Sequence, residues 1–148
     1  MKQILIAFAA FLISIGNISA QTSPELTLEE EVTVMFEDLG YELSTSQYAY
    51  ISEGMRAYHY KTFYEGNDYA IIGFPEMDNV YDIDLYLYDM DGDLLLESSS
   101  SDGIELLEFT CNSTEEYKVV IENYDSDIDG NKYKVKFMIF WIDSDYNY

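Results

Sequence analysis

Asp125, Asp127 and Asp129 place a carboxylate at every second position, and Gly130 follows them. Oxygen ligands at that spacing, then a glycine for a sharp turn, open a calcium loop of the helix-loop-helix kind. The match stops there. The twelfth position is Lys136, where that loop needs a bidentate Glu, and the chain from Tyr133 onward reads as a strand. A second acidic group, Asp89, Asp91 and Asp93, surrounds another turn glycine, Gly92, and Asp78, Asp82 and Asp84 make a third. A Ca2+ ion takes about six to eight oxygens, so these loops form a site only if the fold gathers them at one end. Asp-Gly pairs also make good hairpin turns with no ion present, and that alternative stands beside the first.

Rings are the second chemical resource. The chain has 15 Tyr and one Trp. Tyr58, Tyr60, Tyr64, Tyr86 and Tyr88 fall on strand positions opposite apolar neighbours, and an exposed row of such rings stacks on sugar faces or on a partner's apolar groups. Tyr58, Tyr60, Tyr86 and Tyr88 are the candidate ligand face. Cross-strand pairing of tyrosines for stability is the competing reading. Catalysis has little to work with. The one histidine, His59, sits mid-strand, and the one cysteine, Cys111, reads as a small buried residue. No nucleophile elbow, zinc-binding His pair or phosphate loop is present, and one His with one Cys is a poor zinc set. The expectation is a protein that is not an enzyme.

The elements that must position these groups follow from periodicity. Leu28, Val32, Met35, Phe36 and Leu39 share one face at helical spacing, Ser23-Pro24 or Thr27 with Glu30 can start the helix, and Gly40 can stop it. This predicts one amphipathic helix over Pro24–Leu39 whose apolar stripe packs on a sheet or on a second copy. After Gly40 the period becomes two. Strands are predicted over Gln47–Ser52, Met55–Tyr64, Tyr69–Phe74, Val80–Met90, Asp93–Glu97, Ile104–Cys111, Tyr117–Tyr124 and Tyr133–Ile142. In the fourth, Ile83, Leu85 and Leu87 point one way and Asp82, Asp84, Tyr86 and Tyr88 the other. The last is apolar on both faces in its second half and should be central. Short strands at such turn spacing, with no alternating helices, predict an all-β antiparallel β-sandwich, jelly-roll-like, preceded by one short N-terminal amphipathic helix.

The first twenty residues stand apart. Lys2 is followed by an apolar run, Ile4–Ile15, too short to span a bilayer comfortably, then by Gly16-Asn17 and a small-residue exit at Ala20. That order predicts a secretory signal peptide over 1–20, a helical segment over 21–40 and a β-sandwich domain over 41–148. The destination is the periplasm or the exterior, with no membrane insertion after cleavage. Removing 20 of 148 residues leaves 128, enough for one core without a disulfide. Losing Lys2 takes the net charge from −22 to −23. Such a field repels nucleic acid and anionic membrane and attracts cations and basic partners. With 48% hydrophobic residues the chain folds rather than remaining disordered.

From Asp82 to Tyr133 the chain resembles the bacterial pre-peptidase C-terminal domain, a jelly-roll-like β-sandwich. The residues that carry the likeness are Asp82-Ile83-Asp84-Leu85-Tyr86-Leu87-Tyr88-Asp89, the Asp91-Gly92 turn, Glu108-Phe109-Thr110, Glu116-Tyr117-Lys118-Val119-Val120-Ile121 and Gly130–Val135. Glu53-Gly54 and Gly66-Asn67-Asp68-Tyr69 extend it to about Gln47–Trp141. Glu115-Glu116 departs from the small residue and Gly that the family favours before its tyrosine. The resemblance implies an exported accessory module of a kind that accompanies peptidases and that binds collagen, polysaccharide or calcium, or serves as a spacer. The expected function is a non-catalytic module, stabilised by Ca2+, that engages glycan or protein. The alternative is a structural protein whose acidic surface binds a basic protein partner.

Overall fold

The computed structural model describes residues 26–144 except 77, 101, 102 and 129, and at residue 99 the backbone alone. The segment read as a signal peptide lies outside the described residues. The chain divides into two compact units between Glu42 and Leu43.

In the first unit, α1 (Leu28–Asp38) begins at a capping box. The Glu30 N–H donates to the Thr27 hydroxyl (3.3 Å), and the Thr27 N–H donates to the Glu30 carboxylate (2.8 Å). Each side chain thus satisfies an end group that the helix itself leaves unpaired. Glu29, Glu30 and Glu31 also meet the positive end of the helix dipole. This corrects the start expected at Pro24: Leu26 and Thr27 are non-helical, because the Thr27 cap fixes the first turn at Leu28. The end follows a Schellman pattern. Gly40 takes a φ of 84°, its N–H donates to Glu37 O (2.9 Å), and the Tyr41 N–H donates to Phe36 O (2.9 Å). The Phe36 and Tyr41 rings meet edge to face at 5.7 Å, the apolar contact that accompanies this motif. Val32 and Phe36 are fully buried.

The second unit is a sandwich of eight strands: β1 (Glu42–Ile51), β2 (Met55–Phe63), β3 (Asn67–Pro75), β4 (Val80–Tyr88), β5 (Leu94–Ser99), β6 (Glu105–Thr110), β7 (Glu115–Ser126) and β8 (Tyr133–Asp143). One sheet has the order β1-β8-β3-β6 and the other β2-β7-β4-β5. β1 starts five residues before the expected strand. Glu42-Leu43-Ser44-Thr45-Ser46 carries no aromatic signal because β1 is an edge strand that shows most of its length to solvent. β8 is interior, as its apolar second half requires, and β3, buried from Tyr69 to Phe74, lies beside it. The inner faces close on Ile71, Val135, Phe137 and Ile139 from one sheet and Ile83, Leu85, Val119 and Ile121 from the other. Gly73 marks a close approach of β3 to β4. A Cβ built there would lie 3.0 Å from Leu85 Cδ2, so a larger residue would make the Leu85 and Ile83 side chains shift.

Polar side chains tie the connections. The buried Glu105 accepts hydrogen bonds from the Ser98 hydroxyl, the Ser100 N–H (2.8 Å) and the Ser100 hydroxyl (2.5 Å), holding the β5–β6 connection. Near the β1–β2 turn, Asn123 donates to Ile51 O (3.3 Å), and Glu53 accepts from the Ser126 N–H (3.1 Å).

Candidate functional site

Alternation places every second residue of β2, β7 and β4 on the outer face of one sheet, and the antiparallel register lines them up in rows. Arg56 lies opposite Glu122, which lies opposite Asp84. The next row is Tyr58, Val120 and Tyr86, and the third is Tyr60, Lys118 and Tyr88. The four tyrosines singled out in the sequence therefore share one surface. Tyr58 and Tyr60 stand out from it, 64% and 46% exposed, while Tyr86 and Tyr88 are half-buried. Val120, with a ring on either side, is 3% exposed.

Charges thread this face. The Arg56 guanidinium pairs with Glu122 (2.7 Å) and lies 4.7 Å from the centre of the Tyr86 ring. The Lys118 ammonium sits 5.3 Å from the Tyr58 ring and 5.6 Å from the Tyr88 ring. Such cation–π contacts hold the rings in place without covering their outer edges. The Tyr86 hydroxyl lies 3.0 Å from Asp84 and 3.1 Å from Glu122. Burial, and then those two carboxylates, push the Tyr86 phenol well above its ordinary value. Burial likewise raises the Asp84 carboxyl, with the Tyr86 hydrogen bond opposing. The surface is an array of rings over two carboxylates that Tyr86 and Arg56 already engage.

The fold brings two of the three acidic groups to one end and not the third: Asp82 pairs with Asp125 across the β4–β7 ladder, while the turn of Asp89, Asp91 and Asp93 lies elsewhere. In the β4–β7 ladder Val80 pairs with Ser126 and Tyr88 with Lys118. The turn holding Asp89, Asp91 and Asp93 follows Tyr88, whereas Asp125 and Asp127 lie beside the start of β4. Eight residues of extended strand, about 25 Å, separate them. The antiparallel pairing of β4 with β7 forces this, since the C-terminal ends of two antiparallel neighbours lie at opposite ends of the sheet. Asp127 accepts hydrogen bonds from the Tyr81 hydroxyl and from Asn79 Nδ2 (2.6 Å), and these hold its carboxyl below the usual range. Asp89 accepts from the Asp93 N–H (2.8 Å), closing its turn. Among the described residues no three carboxylate, His or Cys side chains converge on a metal position. Asp129, the third carboxylate of the loop that begins at Asp125, lies outside the described residues.

His59 and Cys111 are used in packing. The His59 ring faces the Phe137 ring at 5.7 Å, and burial, then Lys61, lowers its pKa. Cys111 is buried just beyond β6, and its thiol donates to Ser113 O (3.0 Å). One further feature escaped the sequence reading. A cleft of about 200 Å³ opens where β2 runs into the β2–β3 turn, lined by Ser44, Lys61, Thr62, Tyr64, Asn67, Tyr69 and Trp141.

No protein-family model matches the chain, and no curated protein matches it in sequence. Among solved structures, a pre-peptidase C-terminal domain of a collagenase from Bacillus anthracis superposes with a TM-score of 0.51 at 10% identity, covering 66% of this chain and 89% of that one. The fold resembles a pre-peptidase C-terminal domain. At that identity the likeness concerns architecture alone. The PPC-like sandwich therefore takes its functional reading from its own surfaces. Arg56, Lys118 and Glu122 are members of the tyrosine face by strand parity, which the sequence shows. Their pairing across strands depends on register, which it does not.

Proposed function

We propose that this chain is an exported, non-catalytic binding module that holds a neutral polysaccharide against the outer face of the β2-β7-β4-β5 sheet. The observation that carries the reading is the gathering of Tyr58, Tyr60, Tyr86 and Tyr88 on one surface, beside Asp84 and Glu122. Rings stack on the C–H faces of sugars. A net charge of −22 disfavours polyanionic chains at this surface. Export rests on the charge, apolar run and small-residue exit of residues 1–20.

The test is titration of the protein with soluble neutral oligosaccharides, against the double variant Tyr58→Ala/Tyr60→Ala. Both rings are exposed, so the fold tolerates their loss. Each stacking ring contributes about 0.5–1.5 kcal/mol, so the double variant is expected to bind roughly ten- to a hundredfold more weakly. Unchanged affinity would remove the tyrosine face from the function. A second reading, a basic protein partner drawn by the acidic charge, is favoured by the same −22. It predicts binding that weakens steeply with salt, whereas neutral sugar stacking does not.

A further inference from the structure

The basic side chains of this acidic protein are mostly spoken for. Arg56 pairs with Glu122, Lys134 and Lys136 with Glu76, and Lys118 lies against the Tyr58 and Tyr88 rings. Lys61 is different. It is half-buried on the inward side of β2, and its one hydrogen bond is to the Thr45 hydroxyl of β1, at 3.2 Å. Among the described residues no carboxylate lies within ion-pair distance of it. An ammonium taken out of water without a counter-charge is unfavourable, and a sequence with 29 acidic residues had ample means to supply one. Burial accordingly lowers the Lys61 pKa.

Lys61 also lines the cleft of about 200 Å³, together with the rings of Tyr64, Tyr69 and Trp141 and the polar groups of Ser44, Thr62 and Asn67. That volume lies below the range of about 300–1,000 Å³ that holds drug-sized ligands, and suits a single ring. We infer that this cleft is a site for one acidic sugar unit, a hexuronate, whose carboxylate pairs with Lys61 while its ring lies against the aromatic wall. The hydroxyls of Ser44 and Thr62 and the Asn67 amide match a ring that carries hydroxyls, which a plain fatty or aromatic acid does not. The overall negative charge does not forbid such a ligand. At about 0.15 M salt, charges beyond roughly 8 Å are screened, while the Lys61 ammonium acts at contact. The site is separate from the tyrosine face: it lies at the end of β2, where that strand runs into the β2–β3 turn, and shares none of Tyr58, Tyr60, Tyr86 and Tyr88.

Trp141 is the protein's one tryptophan and lines the cleft, so its fluorescence reports on this place alone. The protein is titrated with glucuronate, glucose, acetate and the dipeptide glycyl-leucine. Saturable change with glucuronate, at a Kd about tenfold or more below those of glucose, acetate and the dipeptide, is expected, because a charged hydrogen bond is worth at least that much. Lys61→Met, which keeps the apolar stem, is expected to bring glucuronate to the level of glucose while melting like the parent. If that variant does not fold, Tyr64→Ala serves instead, since the ring is exposed and its loss is expected to weaken glucuronate severalfold. Equal response to glucose and glucuronate overturns the role of Lys61. Tighter binding of the dipeptide overturns the sugar, and no saturable response to any probe overturns the site.

Discussion

Replacing Gly73 by alanine tests the distance between the two sheets. The backbone there is not left-handed, so the added methyl meets a steric problem alone. Its carbon would lie 3.0 Å from Leu85 Cδ2, 3.2 Å from Leu85 Cγ and 3.2 Å from Ile83 Cδ1. Carbon atoms rest at about 3.5–4.0 Å, so three contacts are compressed at once. Leu85 and Ile83 are both fully buried, so they must shift within a packed core. Overpacking of this kind costs about 1–3 kcal/mol, and the alanine recovers about 0.5–1 kcal/mol of strand preference over glycine. The net loss is roughly 0–2.5 kcal/mol, or a Tm lower by up to about 10 °C in a domain of this size. Urea unfolding should show a lower midpoint with an unchanged slope. Adding Leu85→Val makes room for the methyl, so the double variant is expected to lose less stability than the two single losses combined. A Gly73→Ala protein as stable as the parent, with additive behaviour toward Leu85→Val, would refute the close approach of β3 to β4.

Three further outcomes are expected. Glu105→Ala strips the partner from two serine hydroxyls and a backbone N–H around a buried site, and should cost about 2–3 kcal/mol in urea unfolding. Glu105→Gln, which retains an acceptor, should cost less, and equal stability of all three proteins would sink the anchoring role. His59 has a folded pKa below its unfolded value of 6.5, so its contribution is fully present above pH 6.5 and is lost as pH falls through the folded pKa. Melting from pH 8 down to pH 5 should reveal that loss, and His59→Gln should remove that part of the slope. Because Asp127 and Asp89 already accept hydrogen bonds within the fold, millimolar calcium is expected to leave the melting midpoint where chelator leaves it. A rise with calcium and not with magnesium would return the acidic turns to the set of ligands.

Alternation carried much of this architecture in plain view. The parity of Tyr58 and Tyr60 in β2, and of Tyr86 and Tyr88 in β4, is a local property of the chain, and the pleat converts it directly into a shared face. The interior position of β8 was equally legible, because a strand apolar on both sides needs cover on both sides. Three features were not legible. β1 was shortened because Glu42–Ser46 is polar, and an edge strand is free to be polar. The separation of the acidic turns follows from which strands pair, a long-range fact that no spacing encodes. The Lys61 cleft joins residues from β1, β2, β8 and the β2–β3 turn, so no single segment announces it.

The order of synthesis differs from the order of the sheet. β8, the last strand to be made, lies between β1, the first, and β3. Until Tyr133–Asp143 arrives, that sheet has a gap at its centre, and the apolar residues of β3 lack a neighbour on one side. The other sheet waits as well, for β2 finds its partner only when β7 is complete, with Met55 opposite Asn123. Pairings so distant along the chain form late and slowly. Both sheets of this design therefore stay incomplete until about nine-tenths of the chain has been made, and its final strand supplies the missing neighbour.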